Sequence, residues 1–464
     1  MNLPLLTLII VLVHLAGLVA ATHAVMHTRT PQGAFAWALG LALLPWLTLL
    51  PYLYLGRSRF HGYVDLHRRH RRQLDLARSE AIQPPQHILE RYGALSTMLD
   101  TPFHPGQALR LLVDGGATFT AILAAIAQAE HSVLVQFFII HDDGLGRRMQ
   151  QALLKRAAAG VKVCVLYDGI GSYALPHRYV ETLRAGGVAI HPFATQRRHN
   201  RFQVNFRNHR KIVVVDGAIG YVGGLNVGDE YLGQKPPLAP WRDTHMELRG
   251  PAVGELQRSF AEDWHWVTGT LPPLHTPPLG QGSAHTLIAA TGPADRQESC
   301  SLFFVTAIQA ARQRVWLTTP YFVPDSAVMA ELRLAVFRGV DVRVLIPSIA
   351  DHTTVFLSST LHARDAVRAG IRMFRHHPGF MHQKVLLVDD DTAAVGSMNM
   401  DSRSFRLNFE ASALNVDRGF AADVDAMLRN DFSHAVEFDE SEYDHAPWRR
   451  RLAMHLARLC DPIL

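Results

Sequence analysis

One polar pattern occurs twice in this chain, each time inside a larger repeat, and that duplication restricts the folds open to it. His209-Arg210-Lys211 precedes the apolar run Ile212-Val213-Val214-Val215 and then Asp216, with Gly223-Gly224 and Asn226 further on. His382-Gln383-Lys384 precedes Val385-Leu386-Leu387-Val388 and Asp389, with Gly396-Ser397 and Asn399 after it. Both copies read H-x-K-x4-D-x6-G-[GS]-x-N. The surroundings repeat as well. Residues 125–129 lead into Val133-Leu134-Val135, and residues 307–311 lead into Val315-Trp316-Leu317. A helical stretch ending at Gly160 opens onto Val161-Lys162-Val163-Cys164-Val165-Leu166, and one ending at Gly339 opens onto Val340-Asp341-Val342-Arg343-Val344-Leu345. Glycine after a helix is a capping signal, and the alternating valines are strands. Leu183-Arg184-Ala185-Gly186-Gly187 is echoed by Val367-Arg368-Ala369-Gly370. The expectation is two tandem α/β units of about 180 residues each, with mixed sheets covered by helices on both faces. The Pro- and Gly-rich residues 268–286 are the expected join, placing the units at 95–270 and 271–464.

The duplicated residues suit phosphoryl chemistry. Residues two apart on a strand share a face, so His209 and Lys211 lie together, as do His382 and Lys384. Asp216 and Asp389 have the opposite parity and read as positioning groups near strand ends. One imidazole can attack a phosphodiester, and a second can protonate the leaving alkoxide and then deprotonate an acceptor. Lysine and asparagine can donate to the non-bridging oxygens. No dense Asp/Glu/His cluster accompanies the motif and no G-x4-G-K-[ST] loop appears, so a reaction without metal or nucleotide cofactor is expected. A catalytic imidazole usually has a carboxylate on its other nitrogen. Asp243 and Glu410, each downstream of a motif, are the candidates; a surface or interdomain salt bridge is the alternative reading.

The N-terminal part is of another kind. Residues 3–25 and 33–55 contain no charged residue. Each stretch is about 23 residues, and about 20 helical residues cross a bilayer. Two transmembrane helices over 1–56 are expected, then a basic juxtamembrane linker over 57–94. Arg57, Arg59, Arg68, Arg69, Arg71 and Arg72 follow the second stretch, whereas the turn offers only Arg29. The positive-inside rule puts the remainder in the cytoplasm. A cleaved signal peptide ending at Val19-Ala20-Ala21 is the alternative. The net charge of +5 suits phosphate-bearing partners, either nucleic acid or anionic lipid. Arg197, Arg198, His199, Arg201, Arg207 and Arg210 read as a loop holding anionic lipid near the site, or as a solvated basic loop. The tail from Trp448-Arg449-Arg450-Arg451 to Ile463-Leu464 reads as an interfacial helix or as one packed on the second unit. Three cysteines form no disulfide framework, which suits a reducing compartment.

Over residues 95 to 464 the chain resembles the phospholipase D superfamily with its paired HKD motifs and, within it, the bacterial cardiolipin synthases. Besides the motifs, the resemblance rests on the N-terminal hairpin, Asp142-Asp143-Gly144 and Tyr167-Asp168-Gly169-Ile170-Gly171-Ser172. Thr319-Pro320-Tyr321-Phe322-Val323-Pro324-Asp325 and the run from His382 to Glu410, with Asn399-Met400-Asp401-Ser402-Arg403-Ser404, complete it. The resemblance implies two phospholipase D-like lobes around one active site, a covalent phosphatidyl-histidine and no metal. It implies that two phosphatidylglycerols become cardiolipin and glycerol, with water or another alcohol as alternative acceptor. His209, Lys211, Asp216, His382, Lys384 and Asp389 would be catalytic, with the first histidine as nucleophile. Asn226, Asn399 and Ser397 would contact phosphate, and Asp243 and Glu410 would orient the imidazoles. Gly224 departs from the pattern where the second copy has Ser397. The partners implied are anionic phospholipid and the bacterial inner membrane, and nucleic acid is not expected.

Overall fold

The computed structural model describes residues 3–28, 30–56, 60, 63, 83–193 and 205–464. The first apolar stretch forms one helix, Leu3–His27, long and apolar enough to cross a bilayer. The second stretch does not form one helix. It divides at Leu44 into Pro31–Leu43 and Pro45–Leu55. Pro45 has no N–H and disfavours helical backbone in the residue before it, and Leu44 adopts φ −132°, ψ 54°. Thr48 Oγ1 bridges the break by donating to Gly40 O at 3.0 Å. The helices fold back on one another closely: a Cβ on Gly17 would lie 2.4 Å from Leu41 O. The basic cluster expected after this hairpin, Arg57 to Arg72, and the turn's Arg29 lie outside the described residues.

The rest builds one large mixed sheet and a separate two-stranded one from two similar halves. The first half contains β1 (His104–Val113), β2 (Ser132–Phe137), β3 (Lys162–Asp168), β4 (Ala189–Phe193), β5 (Arg207–Asn208), β6 (Ile212–Val215), β7 (Ile219–Gly223), β8 (Trp241–Arg242) and β9 (Thr244–Arg249). The second contains β10 (Ala284–Thr291), β11 (Arg314–Thr318), β12 (Asp341–Pro347), β13 (Arg372–His376), β14 (Phe380–Met381), β15 (Val385–Val388), β16 (Thr392–Gly396), β17 (Asn408–Val416) and β18 (Ala435–Glu437). The orders β4-β3-β2-β6-β7-β9-β1 and β13-β12-β11-β15-β16-β17-β10 repeat the same plan. In each, the three outermost strands of that order are parallel and the others antiparallel. Gly160 (φ 89°) and Gly339 (φ 82°) end the helices before β3 and β12 in left-handed backbone, which a side chain would strain.

The halves meet where β1 pairs antiparallel with β10, His104 opposite Thr286, so the sheet is continuous. They also share a core. Leu134, Val214, Met246 and Phe260 from the first half pack in one cluster with Trp316, Leu387, Ala413 and Leu428 from the second. The helices Val253–Thr268 and Arg418–Ser433 supply much of this shared layer.

Candidate active site

Two short parallel ladders determine where the motif histidines stand. β5 pairs with the start of β17, Arg207 opposite Asn408 and Asn208 opposite Phe409. His209 N then donates to Phe409 O at 2.9 Å. The next residue along β17 is Glu410, whose carboxylate oxygens lie 2.9 and 3.0 Å from His209 Nδ1. β14 pairs with β8 in the same way, Phe380 opposite Trp241 and Met381 opposite Arg242. His382 N donates to Arg242 O at 2.8 Å, and Asp243 Oδ2 lies 2.7 Å from His382 Nδ1. The carboxylates are therefore exchanged. Asp243, after the first motif, holds the second-half imidazole, and Glu410, after the second, holds the first-half one.

Asp243 and Glu410 are fully buried. Burial pushes both carboxyls up, yet their neighbours hold them below their usual values: Lys384 and the hydrogen-bonding His382 for Asp243, the hydrogen-bonding His209 and Lys211 for Glu410. An ionised carboxylate only accepts, so each histidine carries its proton on Nδ1 and keeps a lone pair on Nε2. Burial lowers both imidazoles, His382 to about 4 with help from Lys384. Both rings are thus neutral near pH 7. They line one cavity of about 440 Å³, together with Asn226, Asn399 and an apolar wall that includes Phe138, Trp241 and Tyr321. Phe138 stands edge-on to His209 at 5.0 Å, and Trp241 lies 5.0 Å from His382.

The amides differ in their commitments. Asn226 Oδ1 accepts from Ile139 N at 3.2 Å and its Nδ2 donates to Tyr231 Oη at 3.3 Å. Asn399 Oδ1 is buried without a hydrogen-bond partner. Neither Lys211 nor Lys384 lines the cavity wall. Each donates to its own motif histidine's carbonyl, at 2.7 and 2.5 Å. Burial lowers both ammonium groups, Lys384 to about 8 against the pull of Asp243 and Glu410.

Four expectations are corrected. Asp216 and Asp389 do not reach the cavity. Asp216 accepts from the backbone N–H groups of Glu130, His131 and Ser132 at 2.7 to 2.8 Å. Asp389 does the same for Arg312, Gln313 and Arg314 at 2.8 to 3.1 Å. With φ of 52° and 53° they shape the turn after each motif strand, a positioning role that their parity had indicated. Ser397 is not on the cavity wall. Its Oγ donates to Glu410 at 2.5 Å and accepts from Ala411 N at 3.0 Å. Its counterpart Gly224 has no room for a side chain, since a Cβ there would lie 2.1 Å from Asp243 Oδ1. Finally, Arg210 is not part of a lipid-holding loop but is buried on Asp263 at 2.9 Å. Arg207, buried on Asp168 at 3.0 Å, does line the cavity beside the histidines. Arg197, Arg198, His199 and Arg201 lie outside the described residues.

Several supporting groups escaped the sequence reading. Ser404 Oγ and Asn408 Nδ2 donate to Glu410 at 2.9 and 3.1 Å. Asp263 gathers Tyr63 Oη, Gln136, Asn208 and Arg210 within 2.7 to 2.9 Å. Asp431 gathers Arg242 and Gln383 within 2.8 to 3.1 Å. A signal for the last two was present: Asp263-Trp264 and Asp431-Phe432 are one more duplicated pair, and each aspartate takes the middle residue of an H-x-K.

The profile of the family described as "Cardiolipin synthase, PLD-like domain" matches residues 122–264 and 304–432. Cardiolipin synthase A of Pseudomonas aeruginosa (strain LESB58) is 57% identical over 469 residues, covering 98% of this chain and 96% of that protein. Cardiolipin synthase A of Pseudomonas putida (strain ATCC 700007) is 54% identical, covering 98% of this chain and 97% of that protein. Among solved structures, the phosphatidylserine synthase of Haemophilus influenzae aligns with a TM-score of 0.61 at 15% identity, over 81% of this chain and all of that one. The polyphosphate kinase of Porphyromonas gingivalis aligns with a TM-score of 0.50 at 13% identity, over 81% of this chain and 56% of that one. At these identities the structural likeness is one of fold.

Proposed function

The chain belongs to the family of cardiolipin synthases with phospholipase D-like domains, and on that premise we propose that it is a membrane phosphatidyltransferase joining two phosphatidylglycerols into cardiolipin with release of glycerol. One observation carries the reading: two neutral imidazoles, each held at Nδ1 by a buried carboxylate, open onto one cavity. His209 Nε2 attacks the phosphorus of the first lipid. A P–N bond forms, the P–O bond to the headgroup glycerol breaks, and His382, protonated, gives its proton to the leaving oxygen. The phosphodiester anion raises the proton affinity of His382, which burial otherwise holds at about 4. A glycerol hydroxyl of the second lipid then passes its proton to His382, its oxygen bonds phosphorus, and the P–N bond breaks. One phosphodiester forms for each one lost, so the exchange requires no nucleotide.

Glu410 and Asp243 steady the imidazolium that forms in front of each. Asn226 and Asn399 on the cavity wall supply N–H donors for the non-bridging oxygens, and Lys211 and Lys384 supply positive charge from behind the histidines. The apolar wall formed by Phe138, Trp241, Tyr321 and Val355 favours an alcohol over water as acceptor. Both apolar stretches lie in the bacterial inner membrane as a hairpin, with residues 57–94 as linker and units 95–270 and 271–464 on the cytoplasmic side. The arginines after residue 56, against the single Arg29 in the turn, support that sidedness. Purified protein given labelled phosphatidylglycerol in bilayers should yield cardiolipin and glycerol. Phosphatidic acid as sole product would overturn the synthase reading.

A further inference from the structure

The helix Trp448–Arg458 has two unlike faces. Met454 is buried against Leu361 and Tyr443, and Arg458 donates to Asp365 at 2.9 Å. Away from that contact, Trp448, Leu452, Leu456 and Leu459 are 64%, 49%, 55% and 76% exposed. Their spacing puts them on one stripe along the helix and its end. Arg449, exposed, flanks its start, whereas Arg450 lies on the other side of the helix, 3.9 Å from Glu442. After the helix the chain turns to the cavity. Asp461 is pinned by Ser358 Oγ at 2.5 Å and His362 Nε2 at 2.8 Å, and Ile463 and Leu464 line the cavity wall. This end also adjoins the exit from the membrane hairpin. The Phe60 ring lies 5.4 Å from that of Phe206. The neighbouring Asn205 O accepts from Arg403 Nη2 at 2.9 Å, and Arg403 N donates to Leu464 O at 2.8 Å.

Resting on the lipid-transfer reading above, we propose that the C-terminal helix is a second membrane contact. It lies in the interface of an anionic bilayer, with the Trp448–Leu459 stripe in the acyl boundary and Arg449 among headgroup phosphates. The occupant is a bilayer rather than another protein for two reasons. The helix shares its end of the molecule with the segment that leaves the membrane, and its cationic flank complements anionic headgroups. The arrangement seats the cavity on the leaflet, so that phosphatidylglycerol reaches the histidines while its acyl chains stay in lipid.

The test uses full-length protein in vesicles of phosphatidylethanolamine and phosphatidylglycerol. A spin label on Leu456→Cys, with Cys460→Ser and the buried Cys164 and Cys300 left in place, should collide with dissolved oxygen and be shielded from an aqueous nickel chelate. Free access of the chelate would overturn the proposal. So would spin–spin broadening that grows with protein density, because a second copy would then be the occupant. In a separate arm, Leu452→Glu with Leu456→Glu should reduce turnover of long-chain phosphatidylglycerol in vesicles at least tenfold, and leave turnover of dispersed short-chain phosphatidylglycerol unchanged. Equal effects on the two substrates, or none, would also overturn it. If unmodified protein makes cardiolipin from neither substrate, the transfer reading fails, while the spin-label result still decides the membrane contact.

Discussion

Replacing Glu410 with glutamine keeps the side chain's shape and removes its charge. The carboxylate is fully buried and accepts from His209 Nδ1, Ser397 Oγ, Ser404 Oγ and Asn408 Nδ2. Glutamine offers one acceptor oxygen, so His209 loses the charge that steadies its cation and at least one other donor loses its partner. Removing one member of a buried ion pair costs about 3–5 kcal/mol. Applied to the imidazolium formed in the transition state, that is roughly a 10²- to 10⁴-fold loss of rate. The orphaned donors cost a further ~1–3 kcal/mol of stability. The informative assay uses a phosphatidyl ester of nitrophenol, whose leaving group needs no protonation. Loss of the general acid is then tolerated in the first step, and loss of the nucleophile is not. The exchanged geometry predicts that Glu410→Gln behaves like His209→Ala, and Asp243→Asn like His382→Ala. One pair should give a nitrophenol burst and the other none. Should Glu410→Gln instead sort with His382→Ala, each carboxylate would serve its own half and the exchange would be refuted.

Gly224→Ala places a Cβ 2.1 Å from Asp243 Oδ1 and should lower kcat by a factor comparable to Asp243→Asn; near-normal kcat would show that the carboxylate has room to move. Asp216→Ala removes the acceptor for three backbone N–H groups and should lower Tm, at a cost of about 1–3 kcal/mol, with kcat/KM at 25 °C largely kept; lost turnover at unchanged Tm would return Asp216 to the chemistry. The fold should also weaken in mild acid. Burial holds His245 at about 3 and His376 and His382 at about 4, against 6.5 for an ordinary imidazole. Between about pH 6.5 and 4 the unfolded chain therefore binds more protons than the native one, and stability falls as pH falls. Asp401, raised by burial to about 6, acts in the opposite sense, one group against three. Thermal melts between pH 7 and 4.5 check this, and a Tm that holds steady or rises on acidification counts against it.

The repeat was legible because strand periodicity and glycine caps are local properties: β3 and β12, or Gly160 and Gly339, need only their neighbours to be recognised. His209, Asn226, His382 and Asn399 in the cavity were legible for the same reason, through fixed spacings within each motif, whereas Glu230, Asp351 and His352, which also line it, carry no such pattern. The exchange of Asp243 and Glu410 was not, because it depends on the register between segments about 140 and 200 residues apart. Ser397 looked like a phosphate donor because nothing local shows that Glu410 stands behind it. The aspartates of the motif are instructive in the other direction: their parity pointed away from the imidazoles, and the resemblance to a family pointed toward them. In the second apolar stretch composition was readable, but one proline decided between one helix and two.

The exchange also has a consequence in time. A ribosome completes His209, Lys211 and the whole first half long before it reaches β17. Until Glu410 is made, His209 has no carboxylate at Nδ1, and until β14 settles on β8, Asp243 has no imidazole to hold. On the reading proposed above, a growing chain inserted through its N-terminal hairpin would sit among phospholipids without a working nucleophile. Its reactivity toward them would begin only when the last long strand closes the sheet.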